Sequence, residues 1–422
     1  MMKKRTTIAL AILTAICCGN TMAVAKKPLK VYILAGQSNM VGTGAIKTFD
    51  YIGDDPKTAP LLEQMRGPDG KPYVCKRVWI SYLNGRQNQY GGEGIGRLTV
   101  GYGLREKDKH SEPWDYVGPE YMFGIMMERN YDGPILIIKT AWGGQSLSVD
   151  YRSPSAGPYV LNDFQRELYG EQGRLEQNLA AKRKQTGQNY RWMIEHVKKV
   201  LGDIKRVYPD YDPSRGYEVS GFVWFQGFND LIDSHTYPRD LGTKRFDLYS
   251  ELLAHFIRDV RGDLGAPDMK FVIGVAGQNG NFTPGSFDTR GGTETWMKCF
   301  RQAMAAPAGM PEFRGNVAAV QTAPYWDVKL GFISMKQLKV KWMSSHLRDQ
   351  HKGHPNENGA MTREEQQDYL AKYRKELITP EDELLLERAA SIGGSIHYFG
   401  SAKFHAQAGK SFAEAILEME KK

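Results

Sequence analysis

Residues 31–40 read Val-Tyr-Ile-Leu-Ala-Gly-Gln-Ser-Asn-Met. The β-branched, apolar run predicts a strand that stops at Gly36 and presents Ser38 just beyond its end. In open α/β sheets ligands bind outside the carboxyl ends of the strands. A glycine there lets the backbone turn sharply, and a following helix start offers free N–H groups to developing negative charge. Any strand-to-helix junction can carry Gly-x-Ser, so the tripeptide alone does not establish catalysis.

Four further stretches read as buried strands from their continuous apolar character: Pro134–Lys139, Gly221–Phe225, Phe271–Val275 and Val317–Val320. Amphipathic helices alternate with them. Tyr121–Arg129 is one. Tyr190, Met193, Ile194, Val197, Val200, Leu201 and Ile204 stripe a second, and Leu248, Leu252, Leu253, Phe256, Ile257 and Val260 a third. A charged helical region, Thr362–Ala390, precedes a last helix over Ser401–Glu418. This alternation implies a parallel sheet with helices on both faces, an α/β three-layer sandwich. Two stretches, 43–118 and 151–185, are rich in glycine and polar or aromatic residues, and both read as irregular insertions. No internal repeats or low-complexity tracts interrupt the pattern.

The N-terminus reads as a sorting signal. Lys3, Lys4 and Arg5 precede an apolar stretch to Cys18, and Ala23-Val24-Ala25 supplies a small-x-small cleavage pattern. The run is too short for a comfortable membrane span. Cleavage is expected after Ala25, with export to the periplasm or the exterior and a single domain over 26–422. Cys17 and Cys18 raise the alternative of a lipoprotein, which the bulky Ile16 disfavours. Three of the 56 Lys+Arg and none of the 48 Asp+Glu lie in that leader, so the remaining chain carries a formal charge of +5. The basic residues are dispersed, which does not indicate nucleic-acid binding. Stable membrane insertion is not expected either. Cys75 and Cys299 are the two cysteines left; an exported compartment permits a disulfide between them, and buried free thiols fit equally well. No Cys/His cluster has zinc-ligand spacing, so no metal and no cofactor is expected.

Three other strand ends carry loops of the same character as Ser38. After the second strand comes Trp142-Gly143-Gly144-Gln145-Ser146-Leu147. After the third comes Trp224-Phe225-Gln226-Gly227-Phe228-Asn229-Asp230. His397-Tyr398-Phe399-Gly400-Ser401-Ala402 opens the final helix. Acyl transfer from a serine needs a base for its hydroxyl and donors for the tetrahedral oxyanion. A glycine lets a backbone N–H approach closely, an Asn gives a side-chain N–H, and a His on a late loop can shuttle the proton. Singly, the glycine pair reads as a turn, Asn229 as a cap and His397 as a helix-start residue. Their order at successive strand ends favours the chemical reading.

Gly36-Gln37-Ser38-Asn39-Met40, Gly143-Gly144-x-Ser146-Leu147, Trp224-x-Gln226-Gly227-x-Asn229-Asp230 and His397-Tyr398-x-Gly400-Ser401-Ala402 resemble the sialate O-acetylesterase / acetylxylan esterase family of SGNH hydrolases. The resemblance runs from about residue 28 to 418, outside the two insertions. It implies a flavodoxin-like α/β/α fold and metal-free deacetylation of acetylated sugars. By position, Ser38 is then the nucleophile and His397 the base. The oxyanion hole consists of the Ser38 N–H, the Asn229 side chain and a glycine N–H, with Gly144 favoured over Gly143. Gln37, Gln226 and Trp142 are expected to contact substrate, and Trp142, Tyr325 and Trp326 suit a floor on which sugars stack.

Two positions depart from the family. Gly394 stands where an Asp three residues before the His is usual, and Phe228 where Gln-Gly-Glu is common. Asp230 or a backbone carbonyl is left to orient His397, the latter giving a Ser–His dyad. His351 and His354 lie on a polar loop and His235 just past Asn229, where solvated loop residues are the default. The substrate sugar, the acetyl position and the oligomeric state are not legible, and lipid or thioester esters, or glycan binding without strong catalysis, remain as rival readings.

Overall fold

The computed structural model describes residues 27–84, 92–104, 116–285 and 293–421; the expected signal segment, 1–25, lies outside them. Nine strands are present among these residues: β1 Leu29–Gly36, β2 Gly44–Ala45, β3 Val78–Asn84, β4 Glu93–Arg97, β5 Tyr116–Val117, β6 Ile135–Ala141, β7 Tyr217–Phe225, β8 Lys270–Val275 and β9 Val317–Gln321. Seven form one sheet in the order β4-β3-β6-β1-β7-β8-β9, and β2 pairs with β5 apart from it. The five strands expected from sequence make a parallel core, β6-β1-β7-β8-β9. Numbered among themselves they run 2-1-3-4-5, the flavodoxin-like order, whose switch point falls between β1 and β7. Gly36 is level with Ala141 on one side and with Phe225 on the other, so three strand ends meet there.

Side chains alternate between the two faces of the sheet because a strand has a period of two. Tyr32, Leu34, Val223 and Phe225 pack under helices Pro119–Asn130 and Ala402–Glu420. Val31, Ile33, Phe222 and Trp224 pack under helices Gln188–Gly202, Asp247–Asp263 and Glu294–Ala305. This is the expected three-layer sandwich. Cys75 belongs to the first core and Cys299 packs against the second, and both thiols are free.

The stretch 43–118 departs from the irregular insertion expected of it. It supplies β3, parallel to β6, and β4, antiparallel to β3, which widen the sheet by two strands. The run Val78-Trp79-Ile80-Ser81-Tyr82-Leu83 carries the same apolar signal as the core strands. The second stretch, 151–185, holds helices Asp163–Glu171 and Leu175–Gln185. The charged region after 362 is two helices, Arg363–Leu377 and Pro380–Ala389, each opened by a threonine capping box. Among the described residues no helix is long and apolar enough to cross a membrane.

Two histidines in these cores make stability depend on pH. His196 sits beside Ser81 Oγ at 2.9 Å, and burial lowers its pKa to about 4 against the opposing pull of Glu93. His405 is fully buried, and burial, with the charges of Lys139 and His397 adding, lowers its pKa to about 3. Both are neutral when folded, whereas the unfolded chain takes up protons below its ordinary value of about 6.5. Their contribution is therefore present above pH 6.5 and lost as pH falls toward 4 and 3. By linkage each costs about 2 kcal/mol at pH 5. Urea unfolding at pH 7.5 and pH 5 is expected to show a loss of about 4 kcal/mol from the pair; equal stabilities would contradict it.

Candidate active site

Ser38 begins the short helix Ser38–Val41, one residue past β1 and its turn. The turn works because Gly36 has no side chain: a Cβ there would lie 2.1 Å from the Phe225 carbonyl oxygen. Tyr151 donates its hydroxyl to the Gly36 carbonyl at 2.6 Å. Beneath the helix, the buried Lys139 ammonium donates to the carbonyls of Val41 (2.9 Å) and Tyr102 (2.7 Å) and to Glu120 (2.6 Å). Lys139 and Glu120 are both fully buried. Removing either would strand a charge in the core. Ser38 itself is half-buried, between the buried Gln37 and Asn39.

The glycine pair after β6 comes up beside it. A Cβ on Gly143 would stand 3.7 Å from the Ser38 Cβ, whereas one on Gly144 would meet nothing within 4 Å. Gly143 is thus the member that lies against the serine. Among the described residues no acceptor takes the backbone N–H of Ser38, Gly143 or Gly144.

Asn229 lies on the loop after β7, and Gln37 fixes which way its amide faces. Gln37 Oε1 accepts the backbone N–H of Gly227 at 3.0 Å and of Asn229 at 3.5 Å. Backbone N–H groups only donate, so Nε2 must point the other way, and it donates to Asn229 Oδ1 at 3.1 Å. The Asn229 Nδ2 donor is therefore turned away from Gln37. Asn229→Ala is expected to lower kcat by about 10²–10³, the usual loss for one oxyanion donor. Gln37→Glu, which replaces the donor with an acceptor facing Asn229 Oδ1, should lower it in the same direction with KM nearly constant. Steady-state kinetics on an acetyl ester checks both.

Asp230 is not the partner of His397. It is fully buried and accepts from the backbone N–H of Leu147 (2.8 Å) and Ser148 (3.0 Å), from Gln226 Nε2 (2.6 Å) and from the Tyr237 hydroxyl (2.8 Å). Burial pushes its pKa up while these four donors oppose that. It pins the Gly143–Gly144 loop to the Asn229 loop. Gln226 is buried and also donates to the Gln145 carbonyl at 3.0 Å. Trp142 is buried too, packed against Tyr151 and Trp192. Gln37, Gln226 and Trp142, expected to meet substrate, thus spend their polar atoms or faces on the protein and hold the loops in place.

His397 is carried by the turn Ser395–Gly400. Its Nδ1 lies 3.1 Å from the Gly393 carbonyl oxygen. A carbonyl only accepts, so the proton is on Nδ1 and the Nε2 lone pair is left free. Burial holds this imidazole below its ordinary pKa, partly offset by the Gly393 carbonyl. A side chain at Gly393, where φ is +92°, would come within 2.6 Å of Nδ1. Gly394, at the position of the usual acid, has φ +57° and ψ −158°. That region is essentially reserved for glycine. A Cβ there would meet nothing within 4 Å, so a side chain at 394 would start in open space rather than against the imidazole.

The His397 turn is tied to the serine turn by Asn39 Nδ2, which donates to the Ile396 carbonyl at 3.2 Å, and by Thr43 Oγ1, which donates to the His397 carbonyl at 3.4 Å. Gln278, after β8, donates to the same Ile396 carbonyl at 3.2 Å. Tyr398 and Phe399 both have positive φ, 51° and 63°. Two such non-glycine residues in succession cost energy and persist only where packing dictates them. Tyr398 stacks on Phe404 and its hydroxyl accepts the Gly277 N–H at 2.8 Å; Phe399 packs on Trp326. The sequence reading missed Gly393, Asn39 and Gln278 as supports. The Gly277-Gln278-Asn279-Gly280 run at the end of β8 had the same glycine-rich look as the other site loops.

His351 and His354 stand with His346 at the C-terminal end of helix Val328–Arg348, and His235 packs near Phe164 and Tyr169. Among the described residues no group of His, Cys, Asp or Glu is arranged to hold a metal ion.

Sheet order defines a three-layer α/β protein of flavodoxin-like topology. The chain belongs to the carbohydrate esterase family of sialic acid-specific acetylesterases, whose family model matches residues 104–322, just over half of its length. That span includes the glycine pair and Asn229 but neither Ser38 nor His397. Among solved structures, NanS is similar at 15% identity and a TM-score of 0.41 over 94% of this chain and 99% of that one. A protein from Arabidopsis thaliana is similar at 15% identity and a TM-score of 0.39, covering 72% and 95%. A carbohydrate acetylesterase from Xanthomonas citri shows 13% identity and a TM-score of 0.36, covering 69% and 49%. No curated protein sequence matches the chain.

Proposed function

We propose that this esterase is exported and removes acetyl groups from acetylated sugars with a Ser38–His397 dyad. The observation that carries the reading is the Gly393 carbonyl on His397 Nδ1, which supplies without a carboxylate the tautomer a base needs. His397 Nε2 takes the Ser38 proton as Oγ attacks the acetyl carbonyl carbon. The resulting oxyanion is met by the Ser38 N–H, a glycine N–H of the 143–144 pair and Asn229 Nδ2. Collapse breaks the ester bond, His397 protonates the departing sugar oxygen, and the acetyl group stays on Ser38. A water molecule, deprotonated by His397, then attacks the acetyl-enzyme; the bond to Ser38 Oγ breaks, His397 returns the proton to that oxygen, and acetate leaves. No step depends on the usual acid, so its replacement by Gly394 is compatible with turnover.

The test is hydrolysis by the purified protein of p-nitrophenyl acetate, longer acyl esters and acetylated saccharides. Acetyl esters are expected to react fastest, with free acetate released from the saccharide. Faster cleavage of long-chain esters would move the substrate to lipids, and binding of the saccharide without acetate release would make the chain a glycan binder.

A further inference from the structure

We propose that Arg301, on helix Glu294–Ala305, is a positioning residue for His397, acting through residues 277–280 after β8. The proposal rests on the reading of His397 as the base. The turn that carries His397 does not hold itself. Tyr398 and Phe399, next along the chain, occupy the left-handed region, which costs energy unless packing dictates it. Two hydrogen bonds from residues 277–280 grip this turn on either side of the imidazole. Gln278 Nε2 donates to the Ile396 carbonyl at 3.2 Å, one residue before His397. The Gly277 N–H donates to the Tyr398 hydroxyl at 2.8 Å, one residue after it.

The gripping segment is itself unusual in backbone conformation. Asn279 has φ +68° and Gly280 φ +53°, and Gln278 and Asn279 are both buried. Buried carbonyls need donors. The two that flank Asn279 take theirs from one side chain. Arg301 Nη2 donates to the Gln278 carbonyl at 2.6 Å, and Nη1 donates to the Gly280 carbonyl at 2.8 Å. Its guanidinium also lies 4.7 Å from the centre of the Phe282 ring. Among the described residues no carboxylate pairs with Arg301, so its charge goes to these two carbonyls. Hydrogen bonds from a charged donor are roughly twice as strong as neutral ones, and the planar fork fixes both acceptors relative to each other. Gln278 is thus held at its carbonyl by Arg301 while its side chain holds Ile396. Arg301 makes no hydrogen bond to Ser38 or His397, and its effect on the imidazole passes through Gln278.

The experiment uses the full chain carrying Arg301→Met, Arg301→Lys or Gln278→Leu, and the Arg301→Met/Gln278→Leu double variant. Arg301→Met is expected to lower kcat on p-nitrophenyl acetate about 30-fold, with KM within about twofold, as for an interaction felt only in the transition state. Arg301→Lys keeps the charge without the fork and should lose about fivefold. Gln278→Leu should lose about tenfold. Adding it to Arg301→Met should cost no more than about twofold further, because both act along one path. The imidazole supplies a readout that needs no turnover. Nitrogen-15 NMR of histidine-labelled protein at pH 8, with His397 assigned through His397→Gln, should find the parent's proton on Nδ1. In Arg301→Met and Gln278→Leu it should be shared between Nδ1 and Nε2. Because no substrate is present, this result stands whether or not Ser38→Ala abolishes turnover. Thermal unfolding identifies the folded variants, and Arg301→Lys and Gln278→Leu carry the test if Arg301→Met is not among them. An unmoved tautomer in the folded variants, a loss confined to KM, or kcat losses that multiply in the double variant would overturn the proposal.

Discussion

Replacing Ser38 by alanine is expected to lower kcat for acetyl-ester hydrolysis by about 10⁵–10⁶-fold, the scale seen when the nucleophile of a serine hydrolase is removed. The loss is large because in the proposed mechanism Ser38 alone forms the acyl intermediate: Asn229 and the backbone N–H groups would stabilise charge but not attack. They also set a floor, since a hole without a nucleophile still accelerates water attack by about 10³–10⁴. Stability should barely change. Ser38 is half-buried, and among the described residues its hydroxyl takes part in no hydrogen bond. A thermal midpoint equal to that of the unsubstituted protein, together with lost turnover, separates chemistry from folding. Mass spectrometry of quenched reactions should find an acetyl group on the Ser38 peptide. Turnover within tenfold of the parent would remove Ser38 from the mechanism.

Gly393→Ala should have the next largest effect, through His397 rather than through any side chain of its own. Its Cβ would fall 2.6 Å from His397 Nδ1 and 2.7 Å from His397 Cβ, so the ring must leave its place and give up the carbonyl that holds its tautomer. Loss of the correct tautomer costs a serine hydrolase about 10⁴ in kcat. We expect about 10³–10⁴ here, in kcat rather than KM. The φ of +92° adds strain for alanine, about 1–3 kcal/mol, which thermal unfolding will register. Gly394→Ala is the control: it bears comparable backbone strain, but its Cβ contacts nothing within 4 Å. Equal kcat losses in the two variants would show that strain, not displacement of the imidazole, was being measured. The pH profile gives a second readout. Because burial lowers the His397 pKa, the acid limb of kcat/KM should fall below the ordinary histidine value of about 6.5.

What could be read from the chain follows from which signals are carried by side chains. Each of the five parallel core strands has a run of apolar residues, and each was legible. The helix Val328–Arg348 was not, because lysines interrupt an apolar stripe that the structure leaves partly exposed. The strand Val78–Asn84 has a readable run, but its glycine-rich neighbours masked it. At the site, Ser38 and Asn229 are distinctive residue types just past strand ends; His397 is equally distinctive but, against the expectation of a fourth strand end, sits in a turn between helices Pro380–Ala389 and Ala402–Glu420. The partner of His397 is a backbone carbonyl, which every residue possesses, so no side chain announces it. Gln37 and Gln226 look like substrate ligands in sequence because an amide can face either way. Only the turn geometry shows that both face inward.

The four donors on Asp230 have a consequence for substrate choice. They join the Gly143–Gly144 loop, the Asn229 loop and the Tyr237 segment into one body before any ligand arrives. The entropy of ordering the groups proposed to stabilise charge is therefore lost during folding, not when a substrate binds. A minimal acetyl ester and a long decorated chain meet the same finished cradle. Discrimination between them then falls to surfaces farther out, so a search for sugar preference should vary those surfaces and leave the cradle alone.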